Sequence, residues 1–172
     1  PSFSKAALET LAKKKNLRLV AWEHLLTYQR PTDIRSVAGG FLVQSADTMK
    51  THPSTWKFQG ATPADIIMKD LRLAEMVCGQ LKSNSIAIVQ GGQTKGLGMG
   101  QVNRVEAVAH AIARMKKHHP KIDGSLVLAS DAFFPFADSI ELIAKAGIKW
   151  VVQPGGSCKD EEVIAEAKEL GI

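Results

Sequence analysis

Residues 94–101 read TKGLGMGQ, with Gly96, Gly98 and Gly100 in strict alternation. Alternate residues of a strand share one face, so this segment presents a face that carries no side chains at all. Either a helix or a ligand can then approach the backbone itself. The preceding SIAIVQ (85–90) is continuously apolar and Gly91-Gly92-Gln93 reads as a turn, so the two runs form a hairpin. From Arg104 onward the spacing predicts a helix with Val105, Val108, Ala109, Ile112 and Met115 inward, ended by KKHHP.

The remaining elements continue this alternation. Thr62-Pro63-Ala64-Asp65 supplies an N-cap, a first-turn proline and an acid three residues after the cap, followed by Ile67, Leu71, Ala74, Cys78 and Leu81 at helical spacing. SLVLAS (125–130) and IKWVVQ (148–153) read as strands, and 138–146 and 158–170 as helices. In the first part, residues 4–15 read as a helix and LRLVAW (17–22) as a strand. A second strand is expected over 34–44, interrupted by Gly39-Gly40 as a bulge or a close backbone approach, with a loop over 45–61. Strands alternating with helices after a hairpin imply an α/β fold with a mixed sheet, an antiparallel hairpin plus later parallel strands joined by right-handed crossovers. At 172 residues the chain is the size of one ordinary domain.

Composition narrows the function classes. Hydrophobic residues at 45% and charged residues at 23% fit a globular protein, and no apolar run is long enough for a bilayer. A soluble, cytoplasmic protein is expected, without a membrane partner. The net charge of +5 raises the question of nucleic acid, but Lys13-Lys14-Lys15 and Lys116-Lys117 fall at the polar ends of helical patterns, where cations suit the dipole. Solvated helix ends are the expected reading, and the surplus of positive charge also suits an anionic small-molecule substrate. Cys78 and Cys158 are too few and too far apart for a disulfide scaffold, so free thiols in a reducing compartment are expected. The chain opens at Pro1 and closes at KELGI, where one helix has ended and a new apolar segment begins, which suggests a piece of a longer protein.

In sheets of this kind ligands collect outside the carboxyl ends of the strands. Three unusual stretches lie at such ends: GQVNR (100–104), SDAFFPFADS (130–139) and QPGGS (153–157). The second holds three of the six phenylalanines, either as a core plug or as the wall of a pocket for a flat ligand. In PGGSCKD (154–160), Ser157 and Asp160 have the spacing of a capping box, and the exposed N–H groups can also receive an anion. No HExxH, CxxC, GxSxG or zinc-deaminase signature is present. His118-His119 reads as the end of a surface helix and His110 as a half-buried packing residue. The chain offers binding groups without a visible proton-transfer group.

LKSNSIAIVQGGQTKGLGMGQVNRVEA (81–107), SDAFFPFADSIELIAKAGIKWVVQPGGSCKDEEVI (130–164) and DIRSVAGGFLVQSAD (33–47) resemble the AICAR transformylase part of the bifunctional purine-biosynthesis family, in order and with its spacing. That enzyme moves a formyl group from 10-formyltetrahydrofolate to the amine of the AICAR nucleotide. The resemblance implies a cytidine-deaminase-like three-layer α/β/α sandwich without the zinc site, here the second of two tandem copies, as a single domain over 1–172. It also implies partners: the first copy, and a second subunit of a homodimer. By position, Asn84 would hold the formyl-bearing end of the folate and act in catalysis, and Arg104 would face an anionic part of it. Val105, Phe133, Pro135 and Phe136 would line the pterin, Asp138 would accept its ring N–H donors and Ser157 would edge the pocket. Ser83, Ser85 and Asp131, with the carbonyls of Val77 and Leu81, match a monovalent-cation site suited to potassium. Ala137, Ser139 and Asn103 depart from the family's usual residues at the rim. The family's catalytic Lys-His pair matches no position of these residues, so the chain is expected to be inactive alone. The alternative is a stand-alone, non-catalytic binding or regulatory module on the same scaffold.

Overall fold

The computed structural model describes residues 2–28, 32–46 and 53–172. Its contacts divide the chain into two compact units, Pro1–Thr48 and Met49–Ile172.

The first unit contains helix α1 (Lys5–Leu11) and an antiparallel hairpin of β1 (Thr32–Val37) and β2 (Gly40–Ser45). Thr32 pairs with Ser45 and Val37 with Gly40. Ala38 and Gly39 are therefore the two residues of a tight hairpin turn, with Gly39 at φ +82°, rather than a bulge inside one strand. The strand expected over 17–22 does not form. Residues 17–22 have no regular structure and residues 23–27 are turns. Apolar side chains alone do not make a strand; a partner must accept its hydrogen bonds, and among the described residues β1 and β2 pair only with each other. Of the loop expected over 45–61, residues 47–52 lie outside the described residues, β2 extends through Ser45, and a short 3₁₀ turn occupies Pro53–Thr55.

The second unit is a three-layer α/β/α sandwich. Its elements are α2 (Asp65–Cys78), β3 (Ile86–Gln90), β4 (Gln93–Gly98), α3 (Arg104–His118), β5 (Val127–Ser130), α4 (Asp138–Lys145), β6 (Trp150–Val152) and α5 (Asp160–Glu169). The sheet order is β4-β3-β5-β6. β3 runs antiparallel to both β4 and β5, and only β5 and β6 are parallel. The sheet is thus mixed as expected: β4, β5 and β6 share one direction, and the crossover through α3 carries the chain past β3 so that β5 pairs with β3 and not with β4.

Strand alternation builds the two cores. Ile86, Ile88 and Leu128 face α3, α4 and α5, where Ala107, Val108, Ala111, Ile140, Ile143 and Val163 meet them. Ala87, Val89, Val127 and Ala129 face α2 through Leu71, Ala74 and Cys78. The glycines decide how α3 sits. A Cβ built on Gly96 would come within 2.1 Å of the Ala111 carbonyl oxygen, and one on Gly98 within 2.1 Å of that of Ala107. The bare face of β4 therefore serves helix packing. Across the hairpin, Ile86 pairs with Gly98 and Ile88 with Gly96, so large residues on β3 fill the space beside the helix.

Local details shift some expected boundaries. Ala64, extended at φ −64° and ψ 157°, is the N-cap of α2, leaving Thr62 outside the helix and Pro63 before it. α3 buries Ala107 and Ala111 where Ala109 was expected, and His110 is exposed. α5 starts at Asp160 with Lys159 in the cap position, so Ser157 is not its N-cap. The β3–β4 turn uses Gly91 at φ +59° and Gly92 at φ +72°, the mirror-image turn that matches strand twist. Both N–H groups donate to the buried Asp70 carboxylate of α2, at 2.6 and 2.7 Å.

Candidate functional site at the sheet rim

β4, β5 and β6 run in one direction and β3 in the other. The carboxyl ends of three strands and the amino end of the fourth therefore share one rim. Ile86 stands beside both Gly98 and Ser130 there, and Ala129 beside Val152. Ser83-Asn84-Ser85, Gln101 to Arg104, Asp131 to Asp138 and Gln153 to Ser157 are the segments that follow or precede these ends. The side chains expected to bind a ligand all lie on these four segments or in the first turn of α3, while Val77 and Leu81, whose carbonyls were expected at the cation site, lie at the end of α2 and just after it.

Asn84 is held at the entrance to β3. Its backbone N–H donates to the Gln101 carbonyl at 3.3 Å and its Nδ2 to the same oxygen at 2.9 Å, leaving the amide oxygen without a protein donor among the described residues. The Ser83–Asn84 peptide is cis. Asn103 caps α3, its side chain accepting the Glu106 N–H at 2.8 Å, which brings Arg104 to the first helical position.

Arg104 turns under the rim. Its side chain is 6% exposed, and Nη1 donates to the Ser85 carbonyl at 3.1 Å and to Asp131 Oδ1. The same Oδ1 accepts the Ser85 N–H at 2.8 Å, and Asp131 N–H donates to the Ser85 carbonyl at 3.3 Å. Burial pushes the Asp131 carboxyl up, but the Ser83 hydroxyl, the Ser85 N–H and the Arg104 guanidinium together hold it below the ordinary carboxylate value. Ser83, Ser85 and Asp131 are therefore in one cluster, and the cation already facing that cluster is Arg104. Behind it, the Ser85 hydroxyl donates to the Cys78 carbonyl at 3.1 Å. Burial pushes the Cys78 thiol up to about 11, with the Ser85 hydroxyl bond opposing the rise. Among the described residues no group of three His, Cys, Asp or Glu side chains is assembled.

The phenylalanine stretch divides its labour. Phe134 is fully buried in the core beneath α3 and α4, whereas Phe133 is 39% and Phe136 59% exposed, with Pro135 half-buried between them. The turn therefore carries one core plug and two exposed rings. Its start is pinned by Ser130 Oγ donating to the Ala132 carbonyl at 2.7 Å. Its middle is held by the Phe134 N–H donating to Gln153 Oε1 at 2.7 Å. Asp138 opens α4; Oδ1 accepts the Ser139 N–H at 2.7 Å, and Oδ2 has no partner among the described residues. Val105 is half-buried on the first turn of α3. Ser157, half-buried, accepts the Lys159 N–H at 3.1 Å, while Asp160 Oδ2 accepts the Gly156 N–H at 2.7 Å.

Gln101 and Gln153 hold this rim and were not singled out by the sequence. One acts through its carbonyl, which any residue owns. A glutamine directly after the apolar run of β6 and before Pro-Gly is the only signal the other gave.

The rim thus presents two exposed rings together with an amide oxygen and a carboxylate oxygen that have no protein partner among the described residues. Comparison with known proteins gives the rest. The model of the AICARFT/IMPCHase bienzyme family matches residues 1–114. The bifunctional purine biosynthesis protein PurH of Mycobacterium marinum is 44% identical over 177 residues, covering 100% of this chain and 32% of that protein. PurH of Lactococcus lactis is 42% identical over 175 residues, covering 100% of this chain and 34% of that protein. The chain belongs to the AICARFT/IMPCHase bienzyme family, and it spans about a third of the length of the curated relatives it matches.

Proposed function

We propose that this segment is the folate-side half of an AICAR transformylase site, which transfers a formyl group from 10-formyltetrahydrofolate to AICAR in purine biosynthesis. The observation that carries the reading is the convergence of Asn84, Asp138 and the exposed Phe133 and Phe136 at one rim. Formyl transfer brings a weakly nucleophilic aromatic amine against a carbonyl carbon, and well-oriented positioning can supply roughly 7–11 kcal/mol of such a barrier. Phe133, Pro135 and Phe136, with Val105, form the wall on which a flat pterin stacks. Asp138 Oδ2 accepts its ring N–H donors, and Ser157 closes the edge. Asn84 keeps an amide oxygen and a second Nδ2 proton for the formyl end, where a donor stabilises the tetrahedral oxyanion.

Arg104 enters this reading mainly as a brace, because Nη1 is committed to Asp131 and Ser85; an anionic part of the folate meets only its remaining N–H groups. The oxygen donors of Ser83, Ser85 and Asp131, with the Val77 and Leu81 carbonyls, have the chemistry for potassium, which would share Asp131 with the guanidinium. The general base that takes the amine proton comes from another part of the longer protein. The nucleotide, the first transformylase copy and a second subunit would complete the cleft.

The test is AICAR formylation by the natural-length protein. Asn84→Ala is expected to lower kcat by about 10²–10³-fold, the effect of losing one oxyanion donor. Phe136→Ala is expected to raise KM for the folate with a smaller change in kcat. The 172 residues alone are expected to show no turnover. Robust turnover by them, or full activity of Asn84→Ala, would overturn the assignment; folate binding by a natural-length protein without any formyl transfer would point to a non-catalytic binding module instead.

A further inference from the structure

The turn that presents Phe133 and Phe136 projects from the end of β5, where no regular ladder holds it. Beyond the Asp131 bonds at its start, the buried Phe134 ring, the Ser130 hydroxyl on the Ala132 carbonyl and the Gln153 side chain on the Phe134 N–H keep it in place. Among the described residues, the last is the one side-chain hydrogen bond that ties the middle of the turn to a different segment. Gln153 directly follows β6 and directly precedes Pro154-Gly155-Gly156-Ser157, so one residue joins the aromatic turn to the loop that carries Ser157. That loop has its own clamp, the Gly156 N–H on Asp160 Oδ2. Gly155 leaves room for it, since a Cβ there would stand 3.1 Å from the same oxygen. Each segment thus has its own hydrogen bond, and Gln153 bridges the two.

We infer that Gln153 is a positioning residue for the folate cleft, its amide oxygen setting the separation between the Phe133–Phe136 turn and the Ser157 loop by accepting the Phe134 N–H. The inference rests on the folate-site reading given above. Gln153 itself touches no ligand in this account. A half-buried N–H deprived of its acceptor pulls the turn toward water, and two rings whose spacing drifts lose a planar ligand before they lose the fold. The nucleotide, bound elsewhere in the cleft, is indifferent to the change.

The experiment measures dissociation constants for folic acid and for AICAR, together with Tm, on the natural-length protein. Gln153→Leu, which keeps the bulk and removes the acceptor, is expected to weaken folic acid binding by about fivefold to a hundredfold, from the cost of an unmet buried donor. AICAR binding is expected to stay as in the unaltered protein. Gln153→Glu, which retains an acceptor oxygen, is expected to bind folic acid close to the original affinity. Equal weakening by Leu and Glu, or unchanged affinity in Gln153→Leu, overturns the inference while leaving the site reading intact if Phe136→Ala still weakens folic acid. Phe136→Ala without effect overturns the site reading and the inference together. Should Gln153→Leu fail to fold, amide exchange in the unaltered protein decides: the Phe134 N–H is expected to be protected, and exchange at the rate of an unbonded turn amide overturns the hydrogen bond and the inference with it.

Discussion

Asp131 and Arg104 show how one pair of residues can organise a rim. The carboxylate receives the Ser85 N–H and the guanidinium, and the guanidinium also takes the Ser85 carbonyl, so both backbone groups of the residue after Asn84 are tied down. Breaking a buried pair by removing one partner leaves an uncompensated charge, which costs about 3–5 kcal/mol. Asp131→Asn is therefore expected to destabilise the fold by about 3 kcal/mol at neutral pH in urea unfolding. The pH dependence has a definite sign. The folded pKa of Asp131 lies below the ordinary 3.8, so its contribution is complete above that value and is lost as pH falls through the folded pKa. An acid titration of stability is expected to show a shallower decline in Asp131→Asn than in the unaltered chain. An identical acid limb in both would show that the carboxylate is not the group responsible.

At the scale of elements, β4 and α3 meet backbone to backbone. With the Ala107 and Ala111 carbonyls 2.1 Å from the positions a Cβ would take, no side-chain rotation can relieve the clash at Gly98 or Gly96. Gly98→Ala is expected to cost about 3 kcal/mol or more, at or beyond the upper end of ordinary overpacking, read as a lower Tm. By contrast, Gly124→Ala meets only the flexible Gln90 side chain at 3.8 Å, and its cost comes from φ +92° rather than from space. The alternating glycines were legible in the sequence as a stripped face, yet the sequence left open whether a helix or a ligand covers it; Ala107 and Ala111, small residues one turn apart on α3, answer the question once the register is known. Apolar periodicity revealed α2, β3, α3 and β5 because a face buried on a sheet must repeat. LRLVAW has the same local look without a partner, and Gly39-Gly40 looked like an interruption because a two-residue turn and a bulge share the same residues. Similarly, the phenylalanine stretch offered two readings, and which ring plugs the core and which stay exposed follows from the direction of the turn, a tertiary property.

For the molecule as a whole, burial is unevenly shared. Every buried residue among those described belongs to the second unit, and the first exposes Ile34, Phe41, Leu42 and Val43 on its hairpin. A two-stranded hairpin is marginal in water by itself. Hydrogen exchange on the 172-residue chain is expected to be slowest at β3 and β5, whose amides lie between two cores, and fast at β1 and β2; equal protection of the hairpin would show that its apolar face is covered in solution. Among the described residues no helix is long and apolar enough to cross a membrane. The alternation of helices and strands announced the layers and the common direction of β4, β5 and β6, while the antiparallel course of β5 beside β3 was not readable from element order, because the crossover through α3 permits β5 to pair with either strand of the hairpin.

That course has a consequence during synthesis. A nascent chain that has emerged as far as Pro120 already owns the asparagine and the arginine, but the acid that pairs with the arginine is still inside the ribosome. Until Asp131 arrives, a guanidinium destined for the interior must stay in water. The assembly of this rim therefore waits for one late carboxylate, and a stalled chain shorter than that has a sheet without a mouth.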